Sequence, residues 1–154
     1  MIIHAETSEQ IEQAQTLFRE YESWLGLKLC FQNFDEEVEN LPGNYAKPTG
    51  RLLLAYADEK FAGCVALRKL EDGICEMKRL FVRKDFRGRK IGNALIEKLI
   101  EEARLIGYEK IRLDTYLPKM PKAFALYRSR GFQEIPPYYH NPYGETLFME
   151  LTLA

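Results

Sequence analysis

The chain has 154 residues, 46% hydrophobic and 29% charged, with a formal net charge of −1 at pH 7. That size predicts one domain over residues 1–154 with a real core, and the mixture is ordinary for a soluble globular protein. The balanced charge excludes a general attraction to nucleic acid or to an anionic membrane, and no apolar run is long enough to span a bilayer.

In chain order, residues 2–5 read as a short strand. Thr7 or Ser8 can cap a helix whose apolar face carries Ile11, Ala14, Leu17, Phe18, Tyr21 and Leu25, with Gly26 at its end. The acidic stretch 35–39 predicts a second short helix, closed by Leu41, Pro42 and Gly43. Residues 51–57 and 61–69 read as two strands around the turn at Asp58, Glu59 and Lys60. Glu71, Asp72 and Gly73 turn the chain into the third strand of an antiparallel meander, residues 74–82. Ile91, Ala94, Leu95, Leu99, Ala103 and Ile106 then recur at helical spacing up to Gly107. Residues 111–114 are expected as a short buried strand. Pro118 and Pro121 precede a helix holding Tyr127, and residues 132–135 and 146–153 read as a closing strand pair. The order β-α-α-β-β-β-α-β-α-β-β predicts a mixed α/β fold, a mostly antiparallel central sheet flanked by helices.

The first residues lack the layout of a signal peptide, so a cytoplasmic location is expected. Cys30, Cys64 and Cys75 form no Cys-x-x-Cys pair and read as reduced, partly buried thiols. Two histidines far apart, His4 and His140, give no reason to expect a metal.

Residues 82–92 (Val-Arg-Lys-Asp-Phe-Arg-Gly-Arg-Lys-Ile-Gly) carry the most information. A basic turn with glycines that opens a helix presents free N–H groups and the positive end of the helix dipole, which suits a pyrophosphate. Gly88 and Gly92 let the backbone approach a ligand, while Arg87, Arg89 and Lys90 add charge. The pattern is neither Gly-x-Gly-x-x-Gly nor Gly-x-x-x-x-Gly-Lys-[Ser/Thr], so a dinucleotide fingerprint and a P-loop are both poorly supported. It resembles the acyl-CoA loop of the GNAT superfamily of N-acetyltransferases, [Arg/Gln]-x-x-Gly-x-[Gly/Ala]. Arg87 stands at the first position and Gly92 at the last. Lys90 replaces the first glycine, where it can still donate a backbone N–H if its dihedrals are helical. Glu76, Leu80 and Val82 match Glu-x-x-x-Leu-x-Val of the preceding strand in that family. Ala123, Leu126, Tyr127, Gly131 and Phe132 match its later Ala-x-x-Leu-Tyr-x-x-x-Gly-Phe.

The resemblance implies acetyl-CoA in a cleft between two splayed parallel strands, with no metal. Leu80, Phe81 and Val82 would pair with the pantetheine arm as an added strand. Arg87, Gly88, Arg89, Lys90, Ile91, Gly92 and Asn93 would hold the pyrophosphate, with Ala123 and Arg130 as further cofactor contacts. Glu76 would act as general base, its pKa raised by partial burial, and Tyr127 would protonate the leaving thiolate. An oxyanion would meet a backbone N–H near Phe81 or Val82, freed by a strand bulge.

Each assignment has a plainer rival. The basic cluster Lys78, Arg79, Arg83, Lys84, Arg87, Arg89 and Lys90 could be a solvated face or a nucleic-acid contact, but the strand-to-helix turn favours phosphate and leaves nucleic acid little. Glu76 could pair with Lys78 or Arg68 across strands. Tyr127 could be a packed aromatic. Cys75 reads as a structural thiol, since no histidine is placed to activate it. The tyrosine-rich stretch 136–144 could carry specificity through Tyr138, Tyr139 and Tyr143, joined by Trp24 and Arg79, or could be a turn or a homodimer contact.

The expected activity is transfer of acetyl from acetyl-CoA to a primary amine of a small molecule, by direct attack in a ternary complex. The alternatives are a non-catalytic acyl-CoA sensor and an acetyltransferase acting on a protein N-terminus or lysine.

Overall fold

The computed structural model describes residues 1–29 and 32–153, so Cys30 lies outside the described residues. Strand β1 (Ile2–His4) is followed by helix α1 (Ser8–Leu25). Thr7 caps α1 and exchanges bonds with Gln10 in a capping box, while Gly26 ends it with φ of +73°. Helix α2 (Phe34–Glu39) and a 3₁₀ turn at Gly43–Tyr45 lead into the meander β2 (Arg51–Ala57), β3 (Lys60–Glu71) and β4 (Ile74–Val82). Asp58 and Glu59 both have positive φ, the backbone of a two-residue hairpin turn. A 3₁₀ turn at Lys84–Phe86 opens into α3 (Ile91–Ile106), then β5 (Lys110–Tyr116), α4 (Pro121–Ser129), β6 (Gln133–Ile135) and β7 (Thr146–Thr152).

The seven strands form one sheet in the order β1-β2-β3-β4-β5-β7-β6. Every pairing is antiparallel except β4 with β5. The expected fold is therefore present, with β7 inserted between β5 and β6. Strand alternation sorts the core into two layers. Leu53, Val65, Leu67, Met77, Ile111 and Leu113 pack with Leu95, Ile96 and Leu99 of α3 and Tyr127 of α4. Leu52, Leu54, Cys64 and Ala66 pack with Leu17 and Phe18 of α1 and Phe34 and Val38 of α2. The sheet thus has an α3/α4 face and an α1/α2 face. Among the described residues no helix is long and apolar enough to cross a membrane.

Candidate active site

β4 and β5 pair only from Ile74–Lys110 to Glu76–Arg112 and then diverge. Divergence leaves the C-terminal halves of both strands without each other as partners, at the end of a sheet where ligands of open α/β folds bind. A bulge in β4 shapes one wall. Opposite β3 the register runs Ala66↔Lys78 and then Cys64↔Phe81, so Arg79 and Leu80 oppose Val65 alone. The extra residue reverses the alternation: Met77 and Leu80 both lie in the α3/α4 layer, whereas Phe81 lies in the α1/α2 layer. Arg79 takes a left-handed φ of +63°. Its guanidinium is held by Glu37 through bonds of 2.9 and 3.0 Å, and the Cys64 thiol donates to its carbonyl. A cavity of about 20 Å³ fills the wedge, lined by Met77, Lys78, Arg79 and Leu80 of β4, Asp114 of β5, and Tyr21, Met120 and Tyr127.

The loop after β4 is built for an anion. Ile91, Gly92 and Asn93 form the first turn of α3, so their N–H groups have no intrahelical carbonyl, and no side chain caps this end. Gly88 has φ of +81° with open space beside it, and a Cβ on Gly92 would meet only a Val82 methyl at 3.8 Å. Lys90 is not helical: with φ of +62° it takes the left-handed backbone that a glycine adopts freely, so the turn keeps its shape at a conformational cost. Arg87 donates through Nε to the Val82 carbonyl at 2.9 Å and lies 5.0 Å from the Trp24 ring. This loop could hold a pyrophosphate, and the edge of β4 that leaves β5 at Leu80, Phe81 and Val82 could take an amide-bearing arm.

The basic cluster divides. Lys78 and Arg79 are buried, and Arg83 is paired with Glu20, which removes all three from the phosphate loop. Arg89 reaches Asp58 at the surface. Arg130 bonds Asn93 at 2.6 Å and Glu97 at 3.2 Å, bridging α4 and α3, while Ala123 packs against both core layers. Trp24 lines a cavity of about 680 Å³ under the loop with Phe81 and Arg87, apart from Tyr138 and Tyr139.

On the α1/α2 face the chain between β6 and β7 lies over the wedge as a strap. Tyr138 donates to Glu76 Oε2 at 2.5 Å, Tyr139 donates to Asp114, and Gln32 and Asn141 donate to the Tyr139 hydroxyl. Tyr143 anchors the strap through the backbone of Lys28. Glu76, 1% exposed, also receives Arg68 at 2.9 Å and has Lys78 at 3.7 Å. Burial pushes the Glu76 carboxyl up, but Lys78, Arg68 and the Tyr138 hydroxyl together outweigh it and hold the carboxyl below its usual range. The expected upward shift is thus reversed. Arg79, expected to meet substrate, lines the wedge while its guanidinium is held by Glu37.

Tyr127 is buried against Phe132 and lines the wedge cavity; burial raises its phenol well above the ordinary value. Lys78 and Asp114 also line that cavity and were not expected there. Their signal was alternation: Arg112, Asp114 and Tyr116 share one face of β5, and a carboxylate on that face points to polar surroundings.

The profile of the acetyltransferase (GNAT) family matches residues 11–132. An uncharacterized N-acetyltransferase of Dictyostelium discoideum is 35% identical, covering 96% of this chain and 97% of that protein. One from Schizosaccharomyces pombe is 38% identical over 95% of this chain and 90% of its own. A GNAT-family acetyltransferase of Staphylococcus aureus Mu50 has the same fold, with a TM-score of 0.81 at 23% identity and coverage of 100% and 99% of the two chains.

Proposed function

We propose, for a chain that belongs to the acetyltransferase (GNAT) family and is an acetyl-CoA-dependent N-acetyltransferase, that the acceptor is the primary amine of a small molecule attacking directly in a ternary complex. The observation that carries the small-molecule reading is the strap. A protein tail needs an open groove across the diverging strands, and residues 136–145 cross that place, tied down at Tyr138, Tyr139 and Tyr143. Direct attack is supported by the cysteines among the described residues. Cys64 and Cys75 are fully buried, and burial pushes the Cys75 thiol up to about 12, so neither offers a thiolate for an acyl-enzyme.

Acetyl-CoA supplies the activated acyl carbon. Leu80, Phe81 and Val82 would align its arm by backbone bonds, and Arg87 would leave the Val82 carbonyl to meet its pyrophosphate. Gly88, Arg89, Lys90 and the amides of Ile91, Gly92 and Asn93 complete that cradle. Tyr127 gives its proton to the departing sulfur. Burial keeps the phenol neutral, and the same apolar surroundings raise the proton affinity of the thiolate it serves. Glu76 holds Arg68, Lys78 and the strap in register.

Thiol release from acetyl-CoA, followed with putrescine, L-aspartate, L-alaninamide and a lysine-bearing peptide, tests the reading. Turnover with a small amine and not with the peptide is expected. Preference for the peptide would favour the protein-acceptor alternative. Binding of acetyl-CoA without any turnover would favour a sensor. In Tyr127→Phe, kcat should fall roughly 100-fold with acetyl-CoA binding intact.

A further inference from the structure

An ammonium group cannot attack a thioester until it sheds a proton, and two carboxylates stand near the wedge to receive it. Glu76 is saturated: Arg68, Lys78 and Tyr138 occupy it, and it does not line the cavity. Asp114 is half-buried, lines the cavity that Tyr127 also lines, and projects from β5 between the inward-facing Leu113 and Thr115, on the α1/α2 face. Tyr139 donates to its Oδ2.

We propose that Asp114 takes the proton of the acceptor amine, on the acceptor side of a cavity whose other side presents Tyr127 to the leaving sulfur. The inference deepens the function proposed above and rests on it.

The charges around the cavity favour this assignment. Arg79 lines it with its charge countered by Glu37, so the positive charge that an entering ammonium meets, and that favours the free amine, is Lys78. Among the described lining residues Asp114 is the only carboxylate, and so the nearest acceptor for the proton released. The groups facing it are Lys78 from β4, Tyr127 from α4, Tyr21 from α1, and Tyr138 and Tyr139 from the strap. Burial raises all four tyrosines, so Lys78 is the cation among these groups.

The protons balance. The ammonium proton passes to Asp114 and from there to solvent. The nitrogen lone pair forms the C–N bond as the C–S bond breaks, and Tyr127 gives its proton to the sulfur. Tyr127 is restored by the second proton that the nitrogen loses. Ammonium and thioester become amide, thiol and one released proton.

Asp114→Asn, assayed by thiol release with whichever of the four amines serves best, decides the matter. Its kcat should fall roughly 100-fold at neutral pH with the KM for acetyl-CoA unchanged. The deficit should narrow as pH rises toward the amine's own pKa, because a free amine needs no base. A purely structural role would instead depress the rate equally at every pH. Wild-type kcat in Asp114→Asn at neutral pH, or a deficit independent of pH, overturns the proposal. If Asp114→Asn no longer binds acetyl-CoA in calorimetry, Asp114→Ala with added formate replaces it: rescue of the rate supports the assignment, and no rescue overturns it. Wild-type protein that acetylates none of the amines defeats the function proposed above, and this inference with it.

Discussion

At Glu76 burial and neighbouring donors act on one carboxyl in opposite directions, and the donors win. Its pKa is lowered in the folded protein, so the stability it contributes is present above its unfolded value, about 4.3, and is lost as pH falls through the folded value. Glu76→Gln leaves Lys78 and Arg68 without their countercharge in a buried site. That should cost roughly 3 kcal/mol at neutral pH. The gap between wild type and variant should close in acid, where the wild-type carboxyl is itself uncharged. Urea unfolding at a series of pH values measures both. A gap that stays constant down to pH ~3, below the unfolded value, would mean the charge on Glu76 plays no part in holding the strap. The identity of this residue was legible in the sequence, but its electrostatic state was not. Pairing with Lys78 or Arg68 is readable from the strand pattern, but Tyr138 comes from a distant stretch that only folding brings onto Glu76. Lys90 teaches the same lesson in the backbone, since a lysine in a glycine position carries no local sign that it will adopt φ of +62°.

Among the elements, β4 was read with its full extent, residues 74–82, because mixed polar and apolar residues at near-alternate positions mark a half-buried strand. Its bulge was expected two residues later, near Phe81 or Val82. The bulge sits at Arg79 because the β3 partner decides it: Cys64 caps the displaced carbonyl, and Gly63 lets the end of β4 come close. A Cβ at Gly63 would stand 2.5 Å from the Phe81 carbonyl oxygen, a distance that real side chains do not reach. Gly63→Ala must therefore push the end of β4 outward. A stability loss of about 1–3 kcal/mol is expected. Because the same end of β4 is proposed to carry the pantetheine arm, the Kd for acetyl-CoA should rise with it. Calorimetric titration alongside denaturant unfolding checks the pair; lost stability with unchanged affinity would place the arm elsewhere. The strap escaped detailed reading for a different reason. Proline and tyrosine in a long connection suggest an ordered loop, yet the partners Glu76 and Asp114 lie far from it in sequence.

At the scale of the molecule, the β1–β4 and β5–β7 halves of the sheet are joined in register over only three residue pairs before they diverge. Beyond Glu76 side chains of the strap reach across instead: Tyr138 bonds Glu76 of β4, and Tyr143 bonds the backbone of Lys28 after α1. A ligand with one edge on β4 and its pyrophosphate on the first turn of α3 would join the halves where the backbone does not. Such a ligand binds the folded state alone, since the cradle of αL residues and free amides does not exist in the unfolded chain. At about 100 times its Kd it adds about 2.7 kcal/mol. For a chain of this length that corresponds to a rise in Tm of roughly 5–10 °C. Arg87 is exposed and bonds one carbonyl, so Arg87→Ala should leave the ligand-free Tm close to wild type while shrinking the shift at the same acetyl-CoA concentration. Differential scanning calorimetry of both proteins, with and without acetyl-CoA, reads the two quantities together. An undiminished shift in Arg87→Ala would assign the pyrophosphate to the backbone amides of α3 alone, and no shift in wild type would remove the ligand from the wedge.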